Sequence, residues 1–442
     1  MNKDWIEVEL GEICDFKGGG TPSKSNPDYW NGNIPWASIK DIKGDLLTKT
    51  QDFISEDGLN NSSANIAEPD EIIIGTRINP GRPIITKIRT AVNQDLKIIK
   101  PKINVSTNFL FYSFKNLENA ILKVSSGTTV LGINLTNLRQ INFPLAPLPE
   151  QRAIVAKIEQ LFSELDNGIQ NLKTAQRKLT LYRQAVLKKA FEGGFTEQWR
   201  KEQGIVDYSN SEVWQRKCLE EVSNSISGYA FKSKEFIDDG GNYQVIRMGN
   251  VRPGIIRLDE SPAFLNDIEE KILEKFLLQK NDVIITLTGT RNKRDYGHTV
   301  IINKSNLLLN QRIAALRFHR TYSPKFFLYY SWTNGFRDQF FSFETGNVGQ
   351  GNVGIKAVKS STIPLPSPNE QNQIVQEIES RLSVCDKVQE TINQNLQKAE
   401  ALRQSILKKA FAGNLLTQQE LTACRNEPDY APASELLKEI VN

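Results

Sequence analysis

The sequence predicts an α+β protein in which two globular units are separated by two long helices packed as an antiparallel coiled coil, with an internal pseudo-twofold repeat. Three observations predict it. The chain has 442 residues, more than a single hydrophobic core usually serves. It is written twice, with one well-matched stretch in each copy. Within each of those stretches, apolar residues recur at alternating steps of four and three, the seam of a coiled coil.

The repeat is clearest in residues 150–193 and 370–413. The first begins EQRAIVAKIEQLFSELD and ends RQAVLKKAFEG; the second begins EQNQIVQEIESRLSVCD and ends RQSILKKAFAG. They align without a gap, and about 17 of 44 positions are identical, far above chance for a repeat. Fainter echoes lie outside them. Trp5, Leu10 and Glu12 are spaced like Trp214, Leu219 and Glu221; Ser38 to Ile42 resembles Arg247 to Val251; Glu71 to Ile74 resembles Asp282 to Ile285; Asn93-Gln94 resembles Asn310-Gln311. A duplication that merely enlarged the protein would not explain why the helices stay alike while the intervening units drift.

In chain order, residues 1–149 form a first globular unit. Short β-like runs such as Glu71 to Ile74 and Lys97 to Ile99 are split by Gly, Pro, Asn and Asp, with a helical stretch near 107–122. Residues 150–193 form the first long helix, bounded by Pro144, Pro147 and Pro149 before it and Gly193-Gly194 after it. Its pairing positions are Ile154, Ile158, Leu165, Leu172, Leu179 and Val186. Lys188 and Lys189 fall in the last turn, where the helix dipole favours cations. A polar linker, 194–213, follows. Residues 214–369 form the second globular unit, with strands expected at Asp282 to Leu287, Thr299 to Ile302 and Ile313 to Phe318, and a helical stretch over 323–341. Residues 370–413 form the second long helix, pairing through Ile374, Ile378, Val388, Ile392, Leu402 and Ile406, with Arg381 and Asn395 interrupting the seam. The tail, 414–442, is expected to end in a short helix, Ser434 to Val441. Each long helix spans about 60 Å at 1.5 Å per residue. A helix of that length with one apolar stripe needs a partner. The nearest is its own copy within the chain; pairing with another chain is the alternative.

Composition narrows the function classes. Net charge is +4, which permits nucleic-acid binding without showing it, because single-sign patches matter more than the sum. The four cysteines, Cys14, Cys218, Cys385 and Cys424, form no CxxC pair, which fits a reducing cytoplasm and argues against a zinc ribbon. The N-terminal MNKDWIEVEL lacks the apolar run of a signal peptide, and no stretch approaches the roughly 20 apolar residues of a membrane span. No membrane association is expected.

A unit closing in PLAPLPEQ (Pro144 to Gln151), followed by a heptad helix and RQAVLKKAFEG, resembles the specificity subunits of type I restriction-modification enzymes. GGTPSKSNPDYWNGNIPWASIKDI (Gly19 to Ile42) looks like the start of a target-recognition domain of that family, and so does the stretch from Trp214 onward. The resemblance covers essentially the whole chain. It implies a non-catalytic, cytoplasmic subunit whose two target-recognition domains each read one half of a split site in double-stranded DNA. It implies that the helices set the spacing and dock two methyltransferase subunits, which motor-nuclease subunits then join. S-adenosylmethionine, ATP and Mg would belong to those partners, and no cofactor to this chain. A pseudo-twofold protein should set its two readers about one DNA turn apart, near 34 Å, and unlike units imply an asymmetric site.

Base readout needs Arg, Lys, Asn or Gln, and phosphate contacts need cations. In the first unit the DNA-binding candidates are Lys40, Arg77, Asn79, Arg82, Lys87 and Arg89, with Thr128 and Thr129 in a glycine-bounded turn. In the second they are Arg247, the cluster Arg291, Asn292, Lys293 and Arg294, and Asn347, Gln350 and Asn352 in the glycine-rich loop Gly346 to Asn352. For each, the competing reading is a solvated surface charge. Tyr29, Trp30 and Trp36 read as core or loop anchors rather than stacking platforms.

Other motifs fall away. Gly18-Gly19-Gly20 lacks the Gly-Lys-Ser/Thr of a phosphate loop. Asn26-Pro27-Asp28-Tyr29 departs from an adenine-methyltransferase Asn-Pro-Pro-Tyr at Asp28, and no glycine-rich fingerprint precedes it. Pro69-Asp70 has no Glu-x-Lys partner for a nuclease. His298 has no neighbouring ligand set, so no metal site is expected, and no catalytic constellation is found. Two rivals stand beside this reading: a single-chain methyltransferase or nuclease, and a coiled-coil scaffold without a DNA role.

Overall fold

The computed structural model describes residues 3–127, 131–205 and 213–438. The chain divides into two compact units, Met1–Lys173 with Asn393–Asn442, and Thr174–Ile392. Both boundaries fall inside the long helices, Leu148–Phe191 and Pro368–Phe411. Each unit therefore holds one globular region, the opening half of one long helix and the closing half of the other.

In unit 1, strand Ile6–Glu9 pairs antiparallel with Asn142–Leu145 and clasps the two ends of the globular region together. A five-stranded sheet runs in the order Cys14–Gly18, Leu96–Pro101, Ile72–Gly75, Pro83–Thr86, Leu46–Leu47. A second sheet orders Asp52–Ile54, Ile34–Ala37, Thr90–Val92, Asn65–Ala67. The run Ile72-Ile73-Ile74 is apolar throughout because the strand is covered on both faces. Ile72 and Ile74 enter the core beneath helix Thr107–Lys123, and Ile73 packs on the opposite face with Ala37, Ile84 and Val92.

Unit 2 repeats this plan. Arg216–Cys218 pairs with Thr362–Pro364. A four-stranded sheet orders Ser223–Ser227, Ile313–Phe318, Val283–Thr286, Thr299–Ile301, and a second joins Phe264–Leu265, Tyr243–Ile246 and Leu307–Leu309. Again alternate residues of one strand face two cores, Val283 and Ile285 on one side and Ile284 on the other. A cross-strand ion pair recurs as well: Glu71 with Lys100 in unit 1, Asp282 with Arg317 in unit 2.

The long helices run antiparallel. In unit 1 the end of the second helix lies beside the start of the first: Ile406, Ala410 and Phe411 share a core with Ile154 and Ile158. Unit 2 has the counterpart, Val186, Leu187 and Ala190 packing with Ile374 and Ile378. Phe411 sits 5.2 Å from Phe109, and Phe191 sits 5.1 Å from Phe326. The Phe of each KKAF motif thus fills the same place in its globular region. Arg403 pairs with Asp166 in unit 1, and Arg183 with Asp386 at 2.6 Å in unit 2.

Of the pairing positions, Ile154, Ile158, Val186, Ile374, Ile378, Ile392 and Ile406 are buried, and Leu165, Leu172 and Leu179 are half-buried. Leu402 remains 48% and Val388 42% exposed. In unit 1 the seam opens into a cavity of about 390 Å³ lined by Leu161, Leu165, Leu172, Ala399, Leu402 and Ile406. Gly168 and Ala399 are too small to fill it, and Asn395 is polar.

One expectation changes and two gain detail. The helical stretch over 323–341 is two helices, Pro324–Tyr330 and Asn334–Ser342. Thr333 begins the second by accepting the Phe336 N–H at 3.3 Å, a cap that competes with helix continuation. The described part of the 194–213 linker carries helix Glu197–Glu202 with Arg200 buried. The tail closes in the expected short helix, Ala433–Leu437, with the expected end at Val441 outside the described residues, and carries a further helix, Gln418–Arg425; within unit 1 the Ala433 N–H donates to the Asp4 carbonyl at 3.0 Å.

Candidate nucleic-acid interface

Each unit places two loops at one corner of its main sheet. In unit 1 the first is the turn between Ile72–Gly75 and Pro83–Thr86. It carries Arg77 and Asn79, both exposed, and Arg82, half-buried. Ile78 at its apex has φ of 70°, and Gly81, at φ 83°, returns its N–H to the Gly75 carbonyl. The second loop closes through Ser126 and Gly132, and Arg77 bridges to Gly132 from the other side. Thr128 and Thr129 lie outside the described residues.

In unit 2 the same corner is a three-stranded ribbon, Thr288–Thr290 against Gln350–Asn352 against Thr345–Gly346. Thr288 and Thr345 both pair with Asn352, as Arg77 and Ser126 both pair with Gly132 in unit 1. The turn after Thr290 carries Arg291, Asn292, Lys293 and Arg294, all exposed. Sequence reasoning treats these four alike; the structure separates them. Arg291 is held by Glu344 at 3.1 Å and by the Gly346 carbonyl at 3.3 Å. Arg294, at φ 45°, lies over the Phe341 ring at 4.8 Å, and Arg337 lies over the same ring at 5.1 Å. Asn292 and Lys293 project from the turn. Asn347 and Gln350 are exposed at the hairpin tip, whereas the Asn352 amide oxygen accepts from the Thr288 hydroxyl at 2.9 Å.

Not all candidates gather at the corners. Lys87 pairs with Asp70 at 2.5 Å and Arg89 with Glu68 at 3.5 Å. Both basic residues follow strand Pro83–Thr86, whose other end meets the Arg77 turn, so they lie at the far end of the hairpin. Arg247 folds its guanidinium onto the Ser261 carbonyl of its own loop.

Lys40 leads to residues that sequence reasoning missed. It lines an open cavity of about 740 Å³ in unit 1 with Thr21, Lys24, Asn93, Gln94 and Asp95. Asp95 also faces Arg77 at 3.6 Å, which joins the cavity to the corner. Trp36 donates to the Gly20 carbonyl at 3.0 Å and packs edge-on against Trp30 at 5.1 Å. Both tryptophans anchor the cavity wall. The available signal was the Asn93-Gln94 echo in Asn310-Gln311. Its cause is steric: a Cβ on Gly19 would lie 2.1 Å from the Asn93 carbonyl oxygen, and one on Gly228 would lie 1.7 Å from that of Asn310. Of the glycines that faintly suggest a phosphate loop, Gly19 and Gly20 serve close backbone approach.

Burial tunes two titratable groups here. Cys14 is pushed up to about 12 by desolvation, so its thiol stays protonated. His298 is lowered by burial and then by Arg337 and Arg252, which favours the neutral imidazole. Among the described residues, no three His, Cys, Asp or Glu side chains gather to hold a metal ion, and no helix is long and apolar enough to cross a membrane.

The PEQ and NEQ motifs that open the long helices have a structural role. The Gln151 side chain accepts the Ser106 N–H at 2.9 Å and donates to the Ala146 carbonyl at 2.8 Å. Gln371 does the same with Ser323 at 2.7 Å and Pro366 at 2.9 Å. Ser106 and Ser323 cap the helices that carry Phe109 and Phe326, so each long helix orients its globular region from its first turn.

Two globular regions of one plan, each joined to a shared antiparallel helix pair, place the chain in a known class. It belongs to the type I restriction modification DNA specificity domain family, whose model matches residues 2–174 and 211–399. Among curated relatives, the EcoBI type I restriction enzyme specificity subunit of Escherichia coli is 23% identical over 95% of this chain and 88% of its own length. The EcoKI specificity subunit of E. coli K12 is 26% identical over 73% of this chain and 68% of its own. The fold matches a chain from a structure of complex assembly and conformational transition in a type I R-M system, with TM-score 0.69, 19% identity and coverage of 93% and 98%. It also matches the crystal structure of the HsdS subunit from Thermoanaerobacter tengcongensis, with TM-score 0.57, 18% identity and coverage of 94% and 98%.

Proposed function

We propose that this chain is the DNA-reading subunit of a type I restriction-modification complex in the cytoplasm, and that each unit reads one half of a bipartite, asymmetric site in double-stranded DNA. The observation that carries this reading is the repeated corner. One backbone arrangement, a turn beside a second loop, is furnished with Arg77, Ile78 and Asn79 in unit 1 and with Asn292, Lys293, Asn347 and Gln350 in unit 2. Matching scaffolds with different polar side chains suit two readers of different sequences. In this reading the helix pair sets the half-site spacing and docks two methyltransferase subunits, and motor-nuclease subunits join them. The chain itself is non-catalytic. Methylation with S-adenosylmethionine, and cleavage with ATP and Mg, belong to the partners.

Co-expression with the neighbouring methyltransferase subunit, followed by mapping of modified adenines in host DNA, tests this. A split asymmetric motif with a fixed gap is expected. An assembled, cofactor-supplied complex that adds no methylation would contradict it.

A further inference from the structure

We infer that Val348 is a base-reading residue of unit 2, packing on the 5-methyl group of a thymine in the major groove, with Asn347 and Gln350 beside it matched to the adenine edge of an A·T pair. The inference rests on the DNA-reading function proposed above and specifies what one of its two corners reads.

Val348 is 90% exposed, more than any other large hydrophobic side chain among the described residues. It gains nothing from burial in this chain, yet it does not sit on a slack loop. The hairpin beneath it pairs Thr345 with Asn352 and Gly346 with Gly351. Gly346 holds φ of 121°, where a Cβ would lie 2.2 Å from the Gln350 carbonyl oxygen. Gly351 is pressed under the Tyr296 hydroxyl, 2.3 Å from where its Cβ would stand. Glu344 takes Arg291 on one carboxylate oxygen and the Tyr296 hydroxyl on the other. Arg291 therefore acts as a clamp on the hairpin, and the tip Asn347-Val348-Gly349-Gln350 is presented on a braced ribbon.

A two-stranded ribbon fits the major groove, and thymine's methyl group is the one apolar feature a base pair offers there. Asn and Gln amides match adenine N6 and N7. Lys293, in the adjoining turn, supplies a cation for the flanking phosphate. Unit 1 keeps the same mixture at its own corner, with Ile78 54% and Leu131 45% exposed beside Arg77 and Asn79. An apolar contact among polar readers is thus a feature of both corners.

The test uses the assembled complex with its methyltransferase partner and the site found by methylation mapping. Each thymine of the half-site read by unit 2 is replaced in turn by deoxyuridine, which removes only the 5-methyl group, and binding is measured at fixed salt. At one position the unaltered complex should lose roughly fourfold in affinity, about the weight of one buried methyl group. Val348→Ala should lose about the same on thymine DNA and nothing further on deoxyuridine DNA at that position. Additive losses, no sensitive position, or a half-site without an A·T pair would overturn the inference. So would a loss in Val348→Ala with no response to deoxyuridine, the behaviour of a wedge between base steps. Specific binding that persists through these failures leaves the DNA-reading function standing, whereas binding without sequence preference overturns that function itself.

Discussion

The Arg200 guanidinium lies 2.8 Å from a carboxylate oxygen of Glu370, and the two side chains are only 4% and 3% exposed. The Thr196 hydroxyl donates to the same oxygen at 2.7 Å. Arg200 follows the first long helix and Glu370 opens the second, so the pair ties the two helices together within unit 2. Removing one partner of such a pair strands the other charge in the interior, at about 3–5 kcal/mol. Arg200→Ala should lower the denaturant midpoint and speed hydrogen exchange across residues 174–392. Replacing both residues with Met and Leu should be less harmful than either single truncation; a double variant worse than both would contradict this account.

Gln151 and Gln371 predict a matched pair of effects. Each accepts a half-buried backbone N–H that opens a helix of its globular region, and leaving a buried N–H unsatisfied costs about 1–3 kcal/mol. Gln151→Ala should therefore raise exchange at the start of helix Thr107–Lys123, and Gln371→Ala at the start of helix Pro324–Tyr330. Glu in place of either Gln keeps the acceptor and should restore the helix start in part, though it adds a buried charge. Equal protection in Gln151→Ala and the parent chain would refute the capping role.

His298 predicts a dependence on pH. Burial, then Arg337 and Arg252, hold its folded pKa below the ordinary 6.5. Below pH 6.5 the unfolded imidazole takes up a proton that the folded one resists. The unfolded state then binds more protons, and stability falls with pH until the folded imidazole also titrates. Unfolding midpoints of the parent and His298→Gln, compared from pH 7.5 to 5.5, should show a steeper decline in the parent. Parallel curves would remove His298 as the cause.

DNA binding should separate residues that look alike in sequence. Lys293 projects from the unit 2 corner, whereas Lys87 is paired with Asp70 at the far end of its hairpin. Lys293→Ala should weaken binding of the complex on all sequences and reduce the salt slope by about one. Lys87→Ala should leave that slope unchanged. The reverse order would move the interface to the other end of the unit 1 sheet.

Much of this architecture was legible in the sequence because its signals are local or repeated. Strands such as Ile313–Phe318 announce themselves as short apolar runs between breakers, and the heptads of the long helices need no tertiary information. What escaped depends on partners distant in the chain. Arg291 reads only as a surface cation, and its contacts with Glu344 and Gly346, more than 50 residues away, are invisible in the sequence. Within the 194–213 linker, nothing local shows that Arg200 is buried against Glu370. Gln151 reads as part of a motif, but its function lies in capping a helix 45 residues upstream. Nothing in the helical pattern over 323–341 shows that Ser331 turns inward to bond Thr299 at 2.6 Å and that Thr333 starts a new helix.

The measurement that tests the central claim most directly is a domain exchange read by methylation mapping. Residues 1–149 are replaced with the first globular unit of another family member, and the chimaera is co-expressed with the methyltransferase subunit. One half of the methylated motif should change, while the other half and the gap stay as they were. A change in both halves, or in neither, would contradict the assignment of one half-site to each unit.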